Sequence, residues 1–172
     1  DLVEEMVSDC EYLINDHTKL DLKLLQLGKN LKAIVFLGTG ASSYIDLTAA
    51  KQCGIRVRTI SRYGDRSVAE HAVALMFCAG RKVVAMDRAL RTGKWETLDS
   101  IEFHRKTLGV VGVGGIGAEM IRLGAALGMN VLAWNRSGFS DKLPAKEVGL
   151  EELFAKSDVV SLHLALNQET ER

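Results

Sequence analysis

The sequence has little of what marks several large classes of protein. Its 172 residues include one proline and three cysteines, aromatic residues make up 6%, and 22 basic residues balance 22 acidic ones. Because the formal net charge is zero, no basic surface of the kind that binds nucleic acid or anionic membrane is predicted. No apolar run approaches the length of a membrane span. The 47% hydrophobic and 26% charged residues are typical of a soluble globular protein.

The cysteines and histidines do not form a pattern of ligands. Cys10, Cys53 and Cys78 are scattered, and none belongs to a C-x-x-C pair. Such spacing favours buried, reduced thiols in a cytoplasmic protein over a disulfide framework. No pair of histidines or cysteines has the spacing of metal ligands, so the sequence predicts no metal site.

The segment Thr107–Ser137 has the most informative pattern in the chain. An apolar run, Leu108–Val113, is typical of a buried parallel strand. It leads into a G-x-G-x-x-G at Gly112–Gly117, and a helical pattern follows that ends at Gly128. A second strand is predicted at Val131–Trp134. A strand, a glycine turn, a helix and a second strand are the context that a dinucleotide-binding motif requires.

Each glycine of the motif has a mechanical reason. Gly112 permits the tight turn, Gly114 lets the backbone approach a pyrophosphate, and Gly117 lets the helix pack closely on the strand. The N–H groups of Gly115 and Ile116 then face an anion at the positive end of the helix. The alternative is a glycine turn in some other α/β unit.

The residues after the second strand predict which nucleotide binds. An acidic residue there usually accepts hydrogen bonds from the adenosine ribose, but this chain has Asn135, Arg136 and Ser137. No carboxylate repels a 2′-phosphate, and the Arg136 guanidinium is suited to binding one. We therefore expect NADP(H) to be favoured over NAD(H), although Asn135 can still bond a ribose hydroxyl. The alternative is that Arg136 is only a solvated residue at a strand end.

Strands alternate with helices in the first third of the chain, which predicts a parallel α/β sheet. Gly28 is predicted to follow its helix with a positive φ, and Asp46 to cap the next helix. The predicted elements outside the glycine motif are helices at Leu2–Asp9, Asp21–Leu27, Asp46–Cys53 and Leu150–Ala155, and strands at Tyr12–Ile14, Leu31–Leu37, Val57–Ile60 and Val159–Leu164.

A polar segment, Arg62–Arg66, is the predicted domain boundary. Ser67 and Glu70 then have the spacing of a capping box, which predicts a helix over residues 67–90. That helix is apolar nearly all round, which is typical of burial on several sides, between domains or subunits. In the polar connection that follows, Trp95 and Phe103 are the predicted anchors.

Four segments give the chain a resemblance to the D-isomer-specific 2-hydroxyacid dehydrogenases, which include glyoxylate/hydroxypyruvate reductases and phosphoglycerate dehydrogenases. Their order and spacing match over nearly the whole chain. The segments are Ala33–Asp46, Ser67–His71, the glycine motif together with Asn135–Ser137, and Ser157–Leu164.

The resemblance implies an α/β fold with two incomplete domains. Residues 1–65 would be part of a flavodoxin-like substrate domain. Residues 66–172 would be part of a Rossmann-type dinucleotide-binding domain that the capped helix 67–90 opens. In this family backbone amides hold the substrate carboxylate, and the matching positions are Gly38, Thr39 and Gly40. The loop has about one residue more than the usual pattern, and a plain strand–helix turn is the alternative.

The resemblance also implies an oxidoreductase that transfers a hydride between NAD(P)H and a small 2-oxo or D-2-hydroxy acid. The family's catalytic arginine, glutamate and histidine lie beyond the segment that matches Leu162–Leu164. We therefore assign no catalytic residue here, interpret both chain ends as cut, and do not expect the 172 residues alone to be active. A homodimer is implied for the intact protein. A non-catalytic, dinucleotide-binding regulator of the corepressor type is the hypothesis from another class.

The four histidines are not candidates for the acid/base. His163 and Leu164 lie at the carboxyl end of a predicted strand, where cofactors bind in this fold, so both are predicted neighbours of the cofactor. The family commonly has a proline after them, but this chain has Ala165. The other histidines, His17, His71 and His104, are predicted to be structural or solvated.

Overall fold

The chain divides into two compact units, Asp1–Tyr63 (unit 1) and Gly64–Arg172 (unit 2). The computed structural model describes residues 2–165 and 170. The division lies inside the polar segment Arg62–Arg66. That unit 1 belongs to a substrate domain and unit 2 to a cofactor domain remains a prediction.

Unit 1 contains a parallel sheet of three strands in the order β1-β2-β3, as the alternating pattern predicts. Ile34 on the central strand pairs with Leu13 on one side and Val57 on the other. The elements are α1 (Leu2–Asp9), β1 (Tyr12–Asn15), α2 (Leu22–Leu27), β2 (Ala33–Phe36), a 3₁₀ turn (Ala41–Ser43), α3 (Leu47–Gln52) and β3 (Arg56–Thr59).

Two helices of unit 1, α2 and α3, begin at aspartate caps. Asp21 and Asp46 accept hydrogen bonds from the backbone N–H groups three residues further on, at 3.0 and 2.9 Å. These bonds satisfy donors that the first helical turn leaves unpaired. The prediction for Gly28 is wrong, because its φ is −76°. A Cβ there would lie 2.9 Å from the Leu31 Cβ, so crowding is the physical reason for a glycine.

The central strand of unit 1 is covered on one face within this chain. Ile34 and Phe36 are buried, whereas Val35 between them is 38% exposed. Only every second side chain of β2 therefore points into the core. The largest fully buried side chains of unit 1 are Val7, Leu20, Leu25, Ile34 and Ile45.

Unit 2 contains a parallel sheet of four strands in the order β6-β5-β4-β7. Val110 on β4 pairs with Ala133 and with Ser161. β6 was not predicted, because two residues are too few to give a periodic pattern. The elements are α4 (Asp65–Gly80), α5 (Val83–Arg91), β4 (Thr107–Val111), α6 (Gly115–Ala126), β5 (Asn130–Trp134), β6 (Lys146–Glu147), α7 (Leu150–Lys156) and β7 (Val159–Leu162).

The predicted capping box at Ser67 is wrong. Helix α4 begins at Asp65, and Gly64 is its N-cap. Ser67 is therefore already helical, and its hydroxyl donates back to the Gly64 carbonyl at 3.1 Å. Glu70 instead accepts from the Arg66 Nε at 2.8 Å. The helix thus begins two residues before the predicted start, and Ser67 bonds a preceding carbonyl, as serine inside a helix can.

The predicted helix over residues 67–90 is two helices. They are separated at Lys82, which has a left-handed backbone with φ 57°. A Cβ on Gly80, the last residue of α4, would overlap the Phe103 ring, and that ring packs edge-on against Phe77 with centroids 5.0 Å apart. Phe103 is thus a buried anchor, as predicted. Trp95 is 84% exposed, so it is not an anchor within this chain.

The helix pair leaves apolar side chains exposed within this chain, and their burial between domains or subunits stays a prediction. Ala69 and Met76 are buried on α4, but Leu75 on the same helix is 57% exposed. On α5, Val84 and Leu90 are 50% and 56% exposed. Within this chain one face of the pair packs and the other does not.

Candidate functional site

The turn after β4 requires glycine at position 112 for two reasons. Gly112 has a φ of 91°, a conformation that residues with a Cβ rarely adopt. A Cβ would also lie 2.5 Å from the His163 carbonyl oxygen. The sequence pattern explains the turn, but the contact with the end of β7 becomes visible only in the fold.

Gly117 brings α6 close to the end of β4. A Cβ there would overlap the carbonyl oxygen of Gly112 and lie 3.6 Å from the Val110 side chain. The helix can therefore sit against the strand only if residue 117 has no side chain. This is the close helix–strand packing that the third glycine of the motif predicts.

Gly114 borders open space, and backbone donors surround it. Among the described residues, no atom other than those of Gly114 and its two chain neighbours lies within 4 Å of the place where its Cβ would be. The N–H groups of Gly114, Gly115, Ile116 and Gly117 have no hydrogen-bond acceptor among the described residues. They form the first turn of the 12-residue α6, where the helix dipole favours an anion. A phosphate fits this loop, because its oxygens can accept from these donors.

Gly115 has a neighbour that the sequence pattern does not reveal. A Cβ on Gly115 would overlap the carboxylate of Asp65, which lies in the first turn of α4. The carboxylate therefore sits beside the amino end of α6, where a negative charge stabilises the helix. The dinucleotide motif does not require glycine at this position, so no sequence signal identified the contact.

The residues after β5 are connected to the glycine loop (Gly112–Gly117) by one side chain. Asn135 Oδ1 accepts from the Val113 N–H at 3.1 Å. Asn135 Nδ2 donates to the Gly138 carbonyl at 2.7 Å and to the Ser137 hydroxyl at 3.2 Å. Arg136 and Ser137 are exposed. The predicted cofactor residues 135–137 thus lie beside the loop.

His163 and Leu164 follow β7, which ends at Leu162, two residues earlier than predicted. The His163 N–H donates to the Val111 carbonyl at 2.8 Å. Its ring Nε2 shares a hydrogen bond of 2.9 Å with the Ser161 hydroxyl. Burial lowers the pKa of His163 from its ordinary value, so the neutral imidazole is favoured. The fold brings these residues to the same edge of the sheet as the glycine loop.

The loop predicted to bind substrate lies in unit 1, after β2. The Gly38 N–H donates to the Phe36 carbonyl at 2.8 Å, so this amide is already used. The N–H groups of Thr39 and Gly40 have no acceptor among the described residues. In the part of the chain that the structure describes, no atom beyond Gly40 and its two chain neighbours lies within 4 Å of a Cβ on Gly40. Two of the three predicted amides are therefore available to an anion.

Two further histidines, His17 and His104, pack against other parts of the chain. The His104 ring lies 2.5 Å from where a Gly128 Cβ would be, and His17 packs edge-on against Tyr44. Within residues 2–165 and 170, no group of three histidine, cysteine or carboxylate side chains is arranged to hold a metal. In the same part of the chain, every helix is too short or too polar to cross a membrane.

Comparison with known proteins identifies the family. Residues 73–172 match a protein-family model described as the D-isomer specific 2-hydroxyacid dehydrogenase, NAD binding domain. This matched range includes the glycine loop and the residues after β5 and β7. The chain belongs to this family.

Individual relatives agree with that assignment. The chain is 38% identical to the D-3-phosphoglycerate dehydrogenase of Archaeoglobus fulgidus, with 99% of this chain and 33% of the relative covered. It is 36% identical to the hydroxypyruvate reductase of Thermotoga maritima, with 92% and 52% covered. The chain therefore spans between a third and about half of these dehydrogenases.

The fold agrees as well. A solved acyclic imino acid reductase in complex with NADPH and D-Arg superimposes with a TM-score of 0.87 at 30% identity. The match covers 98% of this chain and 55% of that one. A solved D-2-hydroxyisocaproate dehydrogenase superimposes with a TM-score of 0.87 at 26% identity. The fold class is thus that of the 2-hydroxyacid dehydrogenases, an α/β architecture with a Rossmann-type nucleotide-binding domain.

Proposed function

We propose that the protein containing this chain is an NAD(P)-dependent oxidoreductase that transfers a hydride between the nicotinamide and a small 2-oxo or D-2-hydroxy acid. The observation that carries the proposal is the glycine loop of unit 2. Its four unpartnered N–H groups and the open space over Gly114 fit a pyrophosphate. The match to the family's NAD binding domain over residues 73–172 supports the same assignment.

Distinct residues of unit 2 would hold the parts of the nucleotide. The amides of Gly114–Gly117 would hold the pyrophosphate, and the shape of the loop depends on Gly112. Arg136 and Ser137 would bind a 2′-phosphate, so we propose NADP(H) over NAD(H). The NADPH in the imino acid reductase structure supports this choice. His163 and Leu164 would be neighbours of the cofactor, and the bound nicotinamide would supply or accept the hydride.

The proposed substrate is a small acid whose carboxylate accepts hydrogen bonds from backbone amides of unit 1. The available amides are those of Thr39 and Gly40, whereas Gly38 would contribute through the shape of the loop. The relatives support this substrate class, since they are a 3-phosphoglycerate dehydrogenase and a hydroxypyruvate reductase. No catalytic residue is assigned to this chain.

The exposed apolar side chains of α4 and α5 support the proposed homodimer. Leu75, Val84 and Leu90 are each at least half exposed, and contact with a second copy would bury apolar area that is unfavourable in water. We propose that the protein is cytoplasmic and that it binds neither nucleic acid nor membranes.

The test is turnover by the full-length protein. We expect oxidation of NADPH, and more slowly of NADH, when glyoxylate, hydroxypyruvate or another 2-oxo acid is added. Nucleotide binding without turnover of any 2-oxo acid would contradict the enzyme proposal. If the nucleotide then changed association with a protein partner, the corepressor-type function would replace it.

A further inference from the structure

The carboxamide of Asn135 has a defined orientation. One end faces the N–H of Val113 at 3.1 Å, and the other faces the carbonyl of Gly138 at 2.7 Å. A backbone N–H can only donate and a carbonyl can only accept. The oxygen of the carboxamide must therefore face Val113 and the nitrogen must face Gly138.

This orientation uses all the donors of the side chain. A carboxamide has two N–H hydrogens, and those of Asn135 go to the Gly138 carbonyl and the Ser137 hydroxyl. The chain reverses direction at Gly138, whose backbone is left-handed with a φ of 70°. Asn135 thus connects two backbone segments that are 22 residues apart, the glycine loop before α6 and the turn after β5.

The bond to Ser137 orients a second group. Because the Ser137 hydroxyl oxygen accepts from Asn135 at 3.2 Å, its own hydrogen points away from Asn135 and remains available. Ser137 is exposed, so that hydrogen can be donated to a group arriving from solvent. A dianionic phosphate accepts such a hydrogen bond, and a ribose hydroxyl accepts it more weakly.

We propose that Asn135 is a positioning residue, whose carboxamide joins the glycine loop to the turn after β5 and orients the Ser137 hydroxyl as a donor to a nucleotide 2′-phosphate. The inference deepens the proposed function and rests on it. It departs from the expectation that Asn135 itself bonds the ribose. Nucleotide preference then depends on the exposed residues that follow Asn135.

An aspartate at position 135 distinguishes a positioning role for Asn135 from a role as a ribose ligand. Asn135→Asp keeps an oxygen that can accept from Val113 but places a second oxygen against the Gly138 carbonyl, where two acceptors repel. If Asn135 were a ribose ligand, the added carboxylate would improve NADH binding, as acidic residues do in this fold. If Asn135 positions the turn, the aspartate weakens NADPH binding and gives NADH no advantage.

The experiment uses the full-length protein and two readouts, amide hydrogen exchange at Val113 and calorimetric titration with NADPH and NADH. In Asn135→Ala we expect Val113 exchange to become about tenfold faster, since its hydrogen bond is lost. In Asn135→Asp we expect Val113 to stay protected, NADPH affinity to fall about tenfold, and NADH affinity not to rise.

Asn130→Asp is the matched control, because Asn130 is the first residue of β5, the strand that Asn135 follows, and it donates one hydrogen bond to the Arg105 carbonyl at 2.9 Å. It introduces the same charge and also breaks one bond to backbone. We expect it to leave the ratio of NADPH to NADH affinity and the Val113 exchange unchanged.

Tighter NADH binding in Asn135→Asp, or unchanged Val113 exchange in Asn135→Ala, would overturn the inference. Neither result would contradict nucleotide binding by the loop. If the unsubstituted protein bound no nucleotide, the proposed function would fail, and the donor role of Ser137 would fail with it.

Discussion

Two glycine-containing loops, one in each unit, follow central parallel strands and present free amides, yet they are constrained very differently. In the glycine loop of unit 2, Cβ atoms at Gly112 and Gly117 would meet backbone oxygens, which cannot move aside without distorting the sheet. In the unit 1 loop (Gly38–Gly40), a Cβ at Gly38 would meet the Phe36 ring, and one at Gly40 would meet no atom of another described residue beyond its chain neighbours.

The difference teaches which glycines a sequence can explain. Backbone contact excludes every side chain, so a glycine required by it forms part of a recurrent, readable pattern. Where a glycine borders open space, the fold would tolerate a side chain at that position. Only a bound ligand can then require glycine. The unit 1 loop therefore gives a weak sequence signal although two of its amides are free.

The largest effect is expected from Gly117→Ala. The methyl group would overlap the Gly112 carbonyl oxygen, so α6 would have to move away from β4. We expect the free energy of unfolding to fall by about 3 kcal/mol, at the upper end of overpacking effects. Denaturant unfolding followed by circular dichroism measures it. A loss below about 0.5 kcal/mol would mean that the loop tolerates side chains as unit 1 does.

Gly114→Ala sharpens the comparison inside the same loop. Its methyl group would enter open space, so we expect the free energy of unfolding to stay within about 0.5 kcal/mol. Because the same space would receive the pyrophosphate, we expect NADPH affinity to fall about tenfold, or about 1.4 kcal/mol. Calorimetric titration measures it, and unchanged affinity would place the nucleotide elsewhere.

Gly40→Ala is the corresponding change in unit 1. With no atom near the new methyl group, we expect a change of less than about 0.5 kcal/mol in the free energy of unfolding. Thermal unfolding of Gly40→Ala, compared with that of Gly117→Ala, measures this change. Equal destabilisation by the two substitutions would remove the difference on which the comparison depends.

The smallest effect is expected from the pH dependence that His163 gives to the stability of unit 2. Burial lowers the pKa of His163 below its ordinary value of 6.5. The unfolded chain therefore binds a proton at a higher pH than the folded one, and stability is lost as pH falls below 6.5 through the folded pKa. His163→Gln should reduce this acid sensitivity, as hydrogen exchange of β7 amides would show. An unchanged pH profile would contradict the assignment.

Much of the fold was predictable because the local preferences of the residues match the elements that they form. The caps at Asp21 and Asp46 and the parallel order of the strands follow from residue type and spacing. The capping box at Ser67 failed because two helix starts compete within three residues. The break at Lys82 was missed although Gly80 lies two residues before it, because a single glycine inside a helical pattern does not by itself mark the end of a helix.

The candidate site was predictable in its backbone and not in its side chains. Gly112 and Gly117 follow from the motif, since their reason is local geometry. The carboxylate of Asp65 beside Gly115 and the bond from Asn135 to Val113 join residues 50 and 22 positions apart. Sequence spacing does not specify such contacts, because they depend on how helices and loops pack.

The most direct test of the central claim, that the glycine loop of unit 2 binds the nucleotide, is to follow backbone amide resonances during titration of the full-length protein with NADPH. We predict saturable shifts that are largest at Gly114, Gly115, Ile116 and Gly117, the four amides without acceptors. Binding of NADPH that leaves these four resonances in place, or no binding at all, would contradict the account.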